Sequence, residues 1–137
     1  MDSFSVFTVS ASALAAQRQR MNVIASNMAN AHSTSSAEGG PYRRQDVVFT
    51  TDPLGSGQDG LTGVKVSSIV KDDSPFKMTY DPSHPDADKD GFVAMPNVNI
   101  IEEMVNMMMA SRAYEASVAA FNMSKAMFTK TLDLGSV

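Results

Sequence analysis

The sequence predicts a mainly α-helical protein with a small β-rich insertion, in which long helices at the two chain ends pair as an antiparallel coiled coil. Apolar side chains recur at a seven-residue step near both ends, as in a coiled-coil seam. The middle of the chain lacks this step and contains short runs of β-branched and aromatic residues between glycines and prolines. We therefore expect residues 1–31 and 98–137 to form one helical domain, with residues 32–97 inserted between them.

The C-terminal helix is predicted over residues 99–134. No proline or glycine interrupts this segment, and it is rich in Ala, Met, Glu and Lys, which favour helix. Asn99 is a suitable N-cap with Glu102 in the capping-box position, and Gly135 is a suitable stop signal. The candidate assembly positions lie at the seven-residue steps and four residues beyond them: Ile100, Met104, Met107, Tyr114, Val118, Phe121, Phe128 and Leu132. Three consecutive methionines, at residues 107–109, indicate more apolar surface than one seam requires.

The N-terminal helix is predicted over residues 4–30, with Ser3 as its N-cap. Its large apolar residues keep the same seven-residue step, and alanines on another side permit a partner helix to approach closely. The candidate assembly positions on this helix are Phe7, Leu14, Met21, Ile24, Asn27, Met28 and Asn30.

The middle of the chain is predicted to contain four short strands, within residues 47–49, 63–70, 76–80 and 92–95. A glycine-rich loop over residues 52–63 is the predicted flexible point, and a polar turn covers residues 81–91. A domain of about sixty residues with few large apolar groups seldom stabilises itself without disulfides or metals. The long helices would therefore leave apolar surface exposed, which favours an assembly subunit over a monomeric globular protein.

Composition excludes several classes of function. The net charge is −4 and the basic residues are scattered, so nucleic-acid binding is not expected. The chain has no cysteine, so it has neither disulfides nor thiolate metal sites. No run approaches the ~20 apolar residues that span a bilayer, and we expect neither membrane insertion nor a cleaved secretory signal. No nucleophile elbow or phosphate-binding glycine loop is present, so we expect no enzyme activity, cofactor or small-molecule ligand.

One acidic motif matches the start of a calcium-binding EF-hand loop. Asp86, Asp88, Asp90 and Gly91 occupy its first, third, fifth and sixth positions, but Asn97 stands where the loop needs a bidentate glutamate. Nearby prolines also prevent the flanking helices. We therefore expect a solvated turn and no calcium site. The two histidines lie far apart in sequence and have no partner at metal-ligand spacing.

Several stretches resemble the axial proteins of the bacterial flagellum, the rod and hook proteins. Residues 25–31 (ASNMANA), with residues 13–22, resemble the N-terminal signature of that family. Residues 41–49 (PYRRQDVVF) and 91–99 (GFVAMPNVN) resemble its proximal rod members, and the resemblance covers nearly the whole chain. After the signature this chain has HSTSS at residues 32–36, where many axial proteins have Asn-Thr-Pro-Gly, so the resemblance does not specify that loop.

The resemblance implies a structural subunit of the proximal rod, in the periplasmic part of the flagellar basal body. It implies export through the flagellar type III apparatus, terminal helices packed side by side into a tube, and a β-rich middle that contacts neighbours. The implied partners are further copies of the chain and the rod proteins FlgB, FlgF and FliE, with the distal rod protein FlgG as a further candidate. Contact with the MS ring and export gate is also implied. A soluble coiled-coil adaptor or export-chaperone-like protein with one partner is the alternative, and a calcium-binding module is a third.

Overall fold

The computed structural model describes residues 3–53 and 61–135, and within them the chain forms two long helices and four strands. In chain order these are α1 (Ser3–Ala29), β1 (Gln45–Pro53), β2 (Thr62–Lys71), β3 (Lys77–Tyr80), β4 (Phe92–Met95) and α2 (Ile100–Gly135). The predicted layout of two terminal helices with short strands between them is confirmed. Most of the predicted glycine-rich loop, at residues 54–60, lies outside the described residues.

The start of α2 is capped as predicted. The side-chain oxygen Oδ1 of Asn99 accepts hydrogen bonds from the backbone amides of Ile101 (3.1 Å) and Glu102 (3.5 Å). These contacts satisfy two of the amides that a helix leaves without an internal partner at its start. Ser3, predicted as the cap of the other helix, is instead the first helical residue of α1.

The two helices run in opposite directions. Near the start of α1, the ring of Phe7 lies edge-on to the rings of Phe121 and Phe128, with centroids 5.2 and 6.1 Å apart. Near its end, Asn27 donates a hydrogen bond to Glu103, close to the start of α2 (3.0 Å). Because α2 has 36 residues and α1 has 27, α2 extends beyond α1, and residues 129–135 are all exposed.

The side of α2 that meets α1 differs in part from the predicted seam. Its most buried positions lie three residues after the heptad positions, at Glu103 and Ala110, which are both 0% exposed. Met104, four residues after Ile100, is 51% exposed. Small residues let two helix backbones approach closely. A search for large apolar residues at a seven-residue step does not find positions of this kind.

The other side of α1 packs on the hairpin formed by β1 and β2. Ala16 and Val23 are buried there, and the hydroxyl oxygen of Ser12 accepts a hydrogen bond from the backbone amide of Val64 (3.1 Å). The two strands are antiparallel, with an irregularity in register between Val48 and Phe49. Helix α1 therefore lies between α2 and the hairpin, and the apolar core is small.

The second hairpin pairs β3 with β4 and contains a turn that needs glycine. Gly91 has φ of +83°, and a Cβ atom added there would lie 2.9 Å from Cε2 of Tyr80 and 3.1 Å from Cγ of Pro82. Tyr80 in turn packs edge-on against Phe92, with ring centroids 5.3 Å apart. The turn thus combines a left-handed backbone with close packing.

Replacing Gly91 by alanine is expected to destabilise the protein more than replacing Gly40. Gly40 also has a positive φ (+74°), but no atom lies within 4 Å of its added Cβ. Both changes force an L-residue into the left-handed region, at about 1–2 kcal/mol each, and overpacking at Gly91 adds about 1–3 kcal/mol. Urea unfolding of both variants measures the difference. Equal losses would contradict the packing argument.

Candidate functional site

One side of α2 carries two groups of exposed apolar side chains, at residues 101–109 and 123–127, with the exposed residues Arg112 and Glu115 between them. We call the two groups together the outward face. Its members are Ile101, Met104, Val105, Met108, Met109, Met123 and Met127, all at least 45% exposed. At about 100° of rotation per residue, they fall within about 140° of the helix circumference. The centre of this arc is nearly opposite the side that carries Glu103, Ala110 and Phe121. Helix α2 is therefore apolar on two opposite sides, and α1 covers only one of them.

The structure divides the predicted assembly positions of α2 into two groups. Most of them lie half-buried on the side toward α1: Met107, Tyr114, Val118, Phe121 and Phe128. Three are exposed, namely Ile100 (38%), Met104 (51%) and Leu132 (59%). Phe121 and Phe128 of the first group pack against Phe7 of α1 within this chain, and contacts of the group with another subunit remain a prediction.

The predicted positions of α1 divide in the same way. Ile24 and Asn27 are buried, at 5% and 0% exposed, so in this conformation their side chains pack within the subunit. Their role in assembly is still a prediction. The remaining positions are half-buried, and their assembly role stays a prediction: Phe7, Leu14, Met21, Met28 and Asn30.

Sequence reasoning did not name most of the outward face. Only Met104 of its seven members was among the predicted positions. The signal was nevertheless present, because three consecutive methionines at residues 107–109 must point around most of a helix. A heptad pattern describes one seam, whereas this helix has two apolar sides.

A cluster of polar side chains joins the helices to the strands; we call it the polar junction, formed by Asn27, Tyr42, Arg44, Asn97 and Glu103. Asn27 and Glu103 are fully buried, and the other three are half-buried. At its centre, Nδ2 of Asn27 donates to Oε2 of Glu103 (3.0 Å) and to the carbonyl of Gln45 (2.8 Å). Oδ1 of Asn27 accepts from the hydroxyl of Tyr42 and from the amide of Gln45, both at 3.0 Å. Two donors and two acceptor sites are all that an asparagine side chain has.

The charged part of the polar junction is the pair of Arg44 and Glu103. Nε of Arg44 donates to Oε1 of Glu103 at 2.7 Å, and the Arg44 guanidinium also lies 3.3 Å from Asp46 and 3.7 Å from Asp72. Glu103 is fully buried, so the cost of removing its charge from water is offset by this pair and by Asn27. The pair connects the start of α2 to the start of β1.

Asn97 extends the polar junction toward the end of β2. Its Oδ1 accepts from the backbone amide of Arg44 (2.8 Å), and its Nδ2 donates to the carbonyls of Asp72 (3.0 Å) and Ser74 (3.1 Å). The junction therefore holds α1, the first hairpin and the segment before α2 in one arrangement.

Three groups in or beside the polar junction have shifted pKa values: Arg44, Tyr42 and Asp72. Burial opposes the charge of Arg44, but the hydrogen bond and charge of Glu103, with those of Asp46, raise the pKa of the guanidinium. Burial, and then the charge of Glu103, raise the pKa of the Tyr42 hydroxyl, so that it remains a donor to Asn27. Hydrogen bonds from the side chain and backbone of Ser74, aided by nearby arginines, lower the pKa of Asp72.

The acidic turn uses its carboxylates for local hydrogen bonds. Oδ1 of Asp88 accepts from the amides of Asp90 (2.9 Å) and Phe92 (2.8 Å), and Oδ2 of Asp86 accepts from the hydroxyl of Thr34 (2.8 Å). Within residues 3–53 and 61–135, no group of three or more His, Cys, Asp or Glu side chains is placed to hold a metal ion. That calcium does not bind here stays a prediction.

Neither helix in the described part of the chain combines the length and the apolar character needed to cross a membrane.

Two family models match this chain, one at each end. The model described as "Flagella basal body rod protein" matches residues 7–35. The model described as "Flagellar basal body rod FlgEFG protein C-terminal" matches residues 89–134. The first covers most of α1, and the second covers β4 and nearly all of α2.

Relatives from distant bacteria match along almost the full length. The flagellar basal-body rod protein FlgC of Salmonella typhimurium (strain LT2) is 47% identical over 131 residues, which is 96% of each chain. FlgC of Borreliella burgdorferi (strain B31) is 46% identical over 147 residues, covering 96% of this chain and 97% of the relative. FlgC of Bacillus subtilis (strain 168) is 43% identical over 150 residues, covering 98% and 99%.

The motifs that carry the sequence resemblance meet in the fold. Asn27 comes from residues 25–31, Tyr42 and Arg44 come from residues 41–49, and Asn97 comes from residues 91–99; all of them are members of the polar junction. Identity near one half over nearly the full length, together with matches to rod family models at both ends, defines the family. The chain belongs to the FlgC family of flagellar basal-body rod proteins.

Proposed function

We propose that this chain is a structural subunit of the proximal rod, which polymerises through its terminal helices into the drive shaft that transmits torque from motor to hook. The outward face of α2 is the observation that carries this proposal. Rod subunits of this family reside in the flagellar basal body, and an exposed apolar surface of this extent is what a monomer avoids and an assembly interface uses.

The outward face supplies the association energy in this account. Fully burying one large apolar side chain is worth about 1.5–3 kcal/mol, so several methionines and branched residues together offset the entropy lost on association. Methionine also adapts to different surfaces, which suits a subunit whose neighbours differ in sequence. The opposite side of α2 meanwhile pairs with α1 as an antiparallel coiled coil, with Phe7 packed against Phe121 and Phe128.

The polar junction supplies stiffness to the subunit. A hairpin attached to the helices by one apolar contact could slide, whereas the directed bonds of Asn27 and the Arg44–Glu103 pair allow one arrangement. Torque applied to the helices is then transmitted to the β-rich part with little deformation between the two, because packed interiors have low compressibility.

The proposed partners are further copies of the chain and the other rod proteins FlgB, FlgF and FliE, with FlgG on the distal side. The MS ring and export gate are proposed neighbours at the base. The family assignment favours this reading over a soluble adaptor with one partner.

Placing a charge on the outward face tests the proposal. Ala119 is exposed and lies near the centre of that face, so Ala119→Asp is expected to change the free energy of unfolding of the isolated subunit by no more than about 0.5–1 kcal/mol. In an assembly the same charge would be buried without a partner, at a cost of several kcal/mol. Cells whose only copy carries Ala119→Asp should make the protein but no hooks.

Ala119→Ser is the matched control, since it keeps a small side chain without a charge and should leave hook number normal. Normal hook numbers in Ala119→Asp cells would contradict the proposal.

A further inference from the structure

The sulfur chemistry of the outward face is distinctive. The chain has 11 methionines and no cysteine, so the methionine thioethers are its most readily oxidised groups. Five of them share the outward face and are 51–66% exposed: Met104, Met108, Met109, Met123 and Met127. Met21, Met28, Met95 and Met107 are half-buried, and Met78 on β3 is 55% exposed.

We propose that these five methionines form a reversible oxidation site whose modification blocks assembly. Oxidants of the peroxide class would transfer one oxygen atom to each thioether. A sulfur–oxygen bond forms and the peroxide oxygen–oxygen bond breaks; the sulfur loses two electrons, and the second oxygen leaves as water from hydrogen peroxide or as an alcohol from an organic hydroperoxide. Methionine sulfoxide reductases reverse this change. The consequence for assembly rests on the proposed function, whereas the modification itself does not.

Position on the helix decides what the modification does. A sulfoxide is polar, and burying it in an apolar interface without a hydrogen-bond donor is unfavourable. The five side chains point away from α1, and Met107, on the side toward α1, is half-buried. The oxidised subunit should therefore keep its paired helices and its polar junction while losing its affinity for neighbours.

Treating the purified full chain with hydrogen peroxide tests the first part. Peptide mass spectrometry of timed samples gives the oxidation rate at each methionine. The five outward methionines and Met78 should react several-fold faster than Met21, Met28, Met95 and Met107. Circular dichroism of the sample oxidised at the fast positions should retain the helical signal. Similar rates at all positions, or early loss of helix, would overturn the proposal.

Hook counts in cells test the second part. Three strains are compared: one with the wild-type chain, one with all five outward methionines changed to leucine, and one with Met78→Leu. Each strain receives a sublethal peroxide pulse while expression of the chain is induced. Wild-type and Met78→Leu cells should lose several-fold more hooks than the leucine variant, since damage to other proteins is common to all strains. A double variant, Met123→Leu with Met127→Leu, should be protected in part and replaces the full variant if that one assembles poorly without peroxide.

Equal hook loss in every strain would overturn the proposed block of assembly while leaving the rod function intact. Failure of the rod function would appear instead as normal hooks in Ala119→Asp cells without any oxidant.

Discussion

Replacing Phe121 by aspartate is expected to separate α1 from α2 and to abolish rod assembly. The Phe121 ring lies 5.2 Å from that of Phe7, in the part of the helix contact near the start of α1. Loss of a packed aromatic costs about 3–5 kcal/mol, and a charge buried without a partner adds to this. Cells should synthesise and export the variant normally but lack hooks and be non-motile.

Phe121→Leu is the control for this variant, because it keeps the apolar side chain and should be much milder. Amide exchange on the purified variants locates the defect. Residues 5–20 of α1 should lose protection in Phe121→Asp, while the hairpin of β1 and β2 changes less. Complete, rotating flagella at normal number in Phe121→Asp cells would show that this contact is dispensable for the rod.

Replacing Asn27 by alanine should produce the second large effect, on stability. The change leaves the carboxylate of Glu103, the hydroxyl of Tyr42 and both backbone groups of Gln45 without their Asn27 partner. Each buried polar group left unsatisfied costs about 1–3 kcal/mol, and relaxation recovers part of that, so a loss of about 3–5 kcal/mol is expected. Urea unfolding followed by circular dichroism measures it.

Asn30→Ala is the matched control for Asn27→Ala. Asn30 follows the end of α1, and among the described residues its side chain bonds two nearby groups, the carbonyl of Ser26 (2.9 Å) and the hydroxyl of Ser33 (3.0 Å). Its removal should cost about 0.5–1.5 kcal/mol. If both variants lose the same stability, the polar junction does not have the central role given to it here.

Local sequence patterns were sufficient to predict every helix and strand of the described part of the chain. Apolar residues at a seven-residue step indicated the helices, and short runs of β-branched and aromatic residues bounded by glycines and prolines indicated the strands. Both patterns are set by residues that are close together in the sequence. The cap at Asn99 was predicted for the same reason: its partners are two and three residues away.

Contacts between distant residues were beyond that reasoning. Glu103 is fully buried and bonds to Asn27, which lies 76 residues earlier in the chain. Ala110 is also fully buried, although it is not one of the large apolar residues that mark the seven-residue step. The outward face was indicated only as an excess of apolar surface, since which side of a helix remains uncovered depends on where its partner packs.

We expect other subunits to cover the outward face of α2 in the rod. Because the chain has no cysteine, Ala119→Cys introduces a single thiol whose reaction with a maleimide reports on that face alone. The measurement compares the labelling rate of this variant in the purified subunit and in isolated basal bodies. We expect rapid labelling in the subunit and at least about tenfold slower labelling in basal bodies, which corresponds to about 1.4 kcal/mol of protection. Equal rates in the two states would contradict the account.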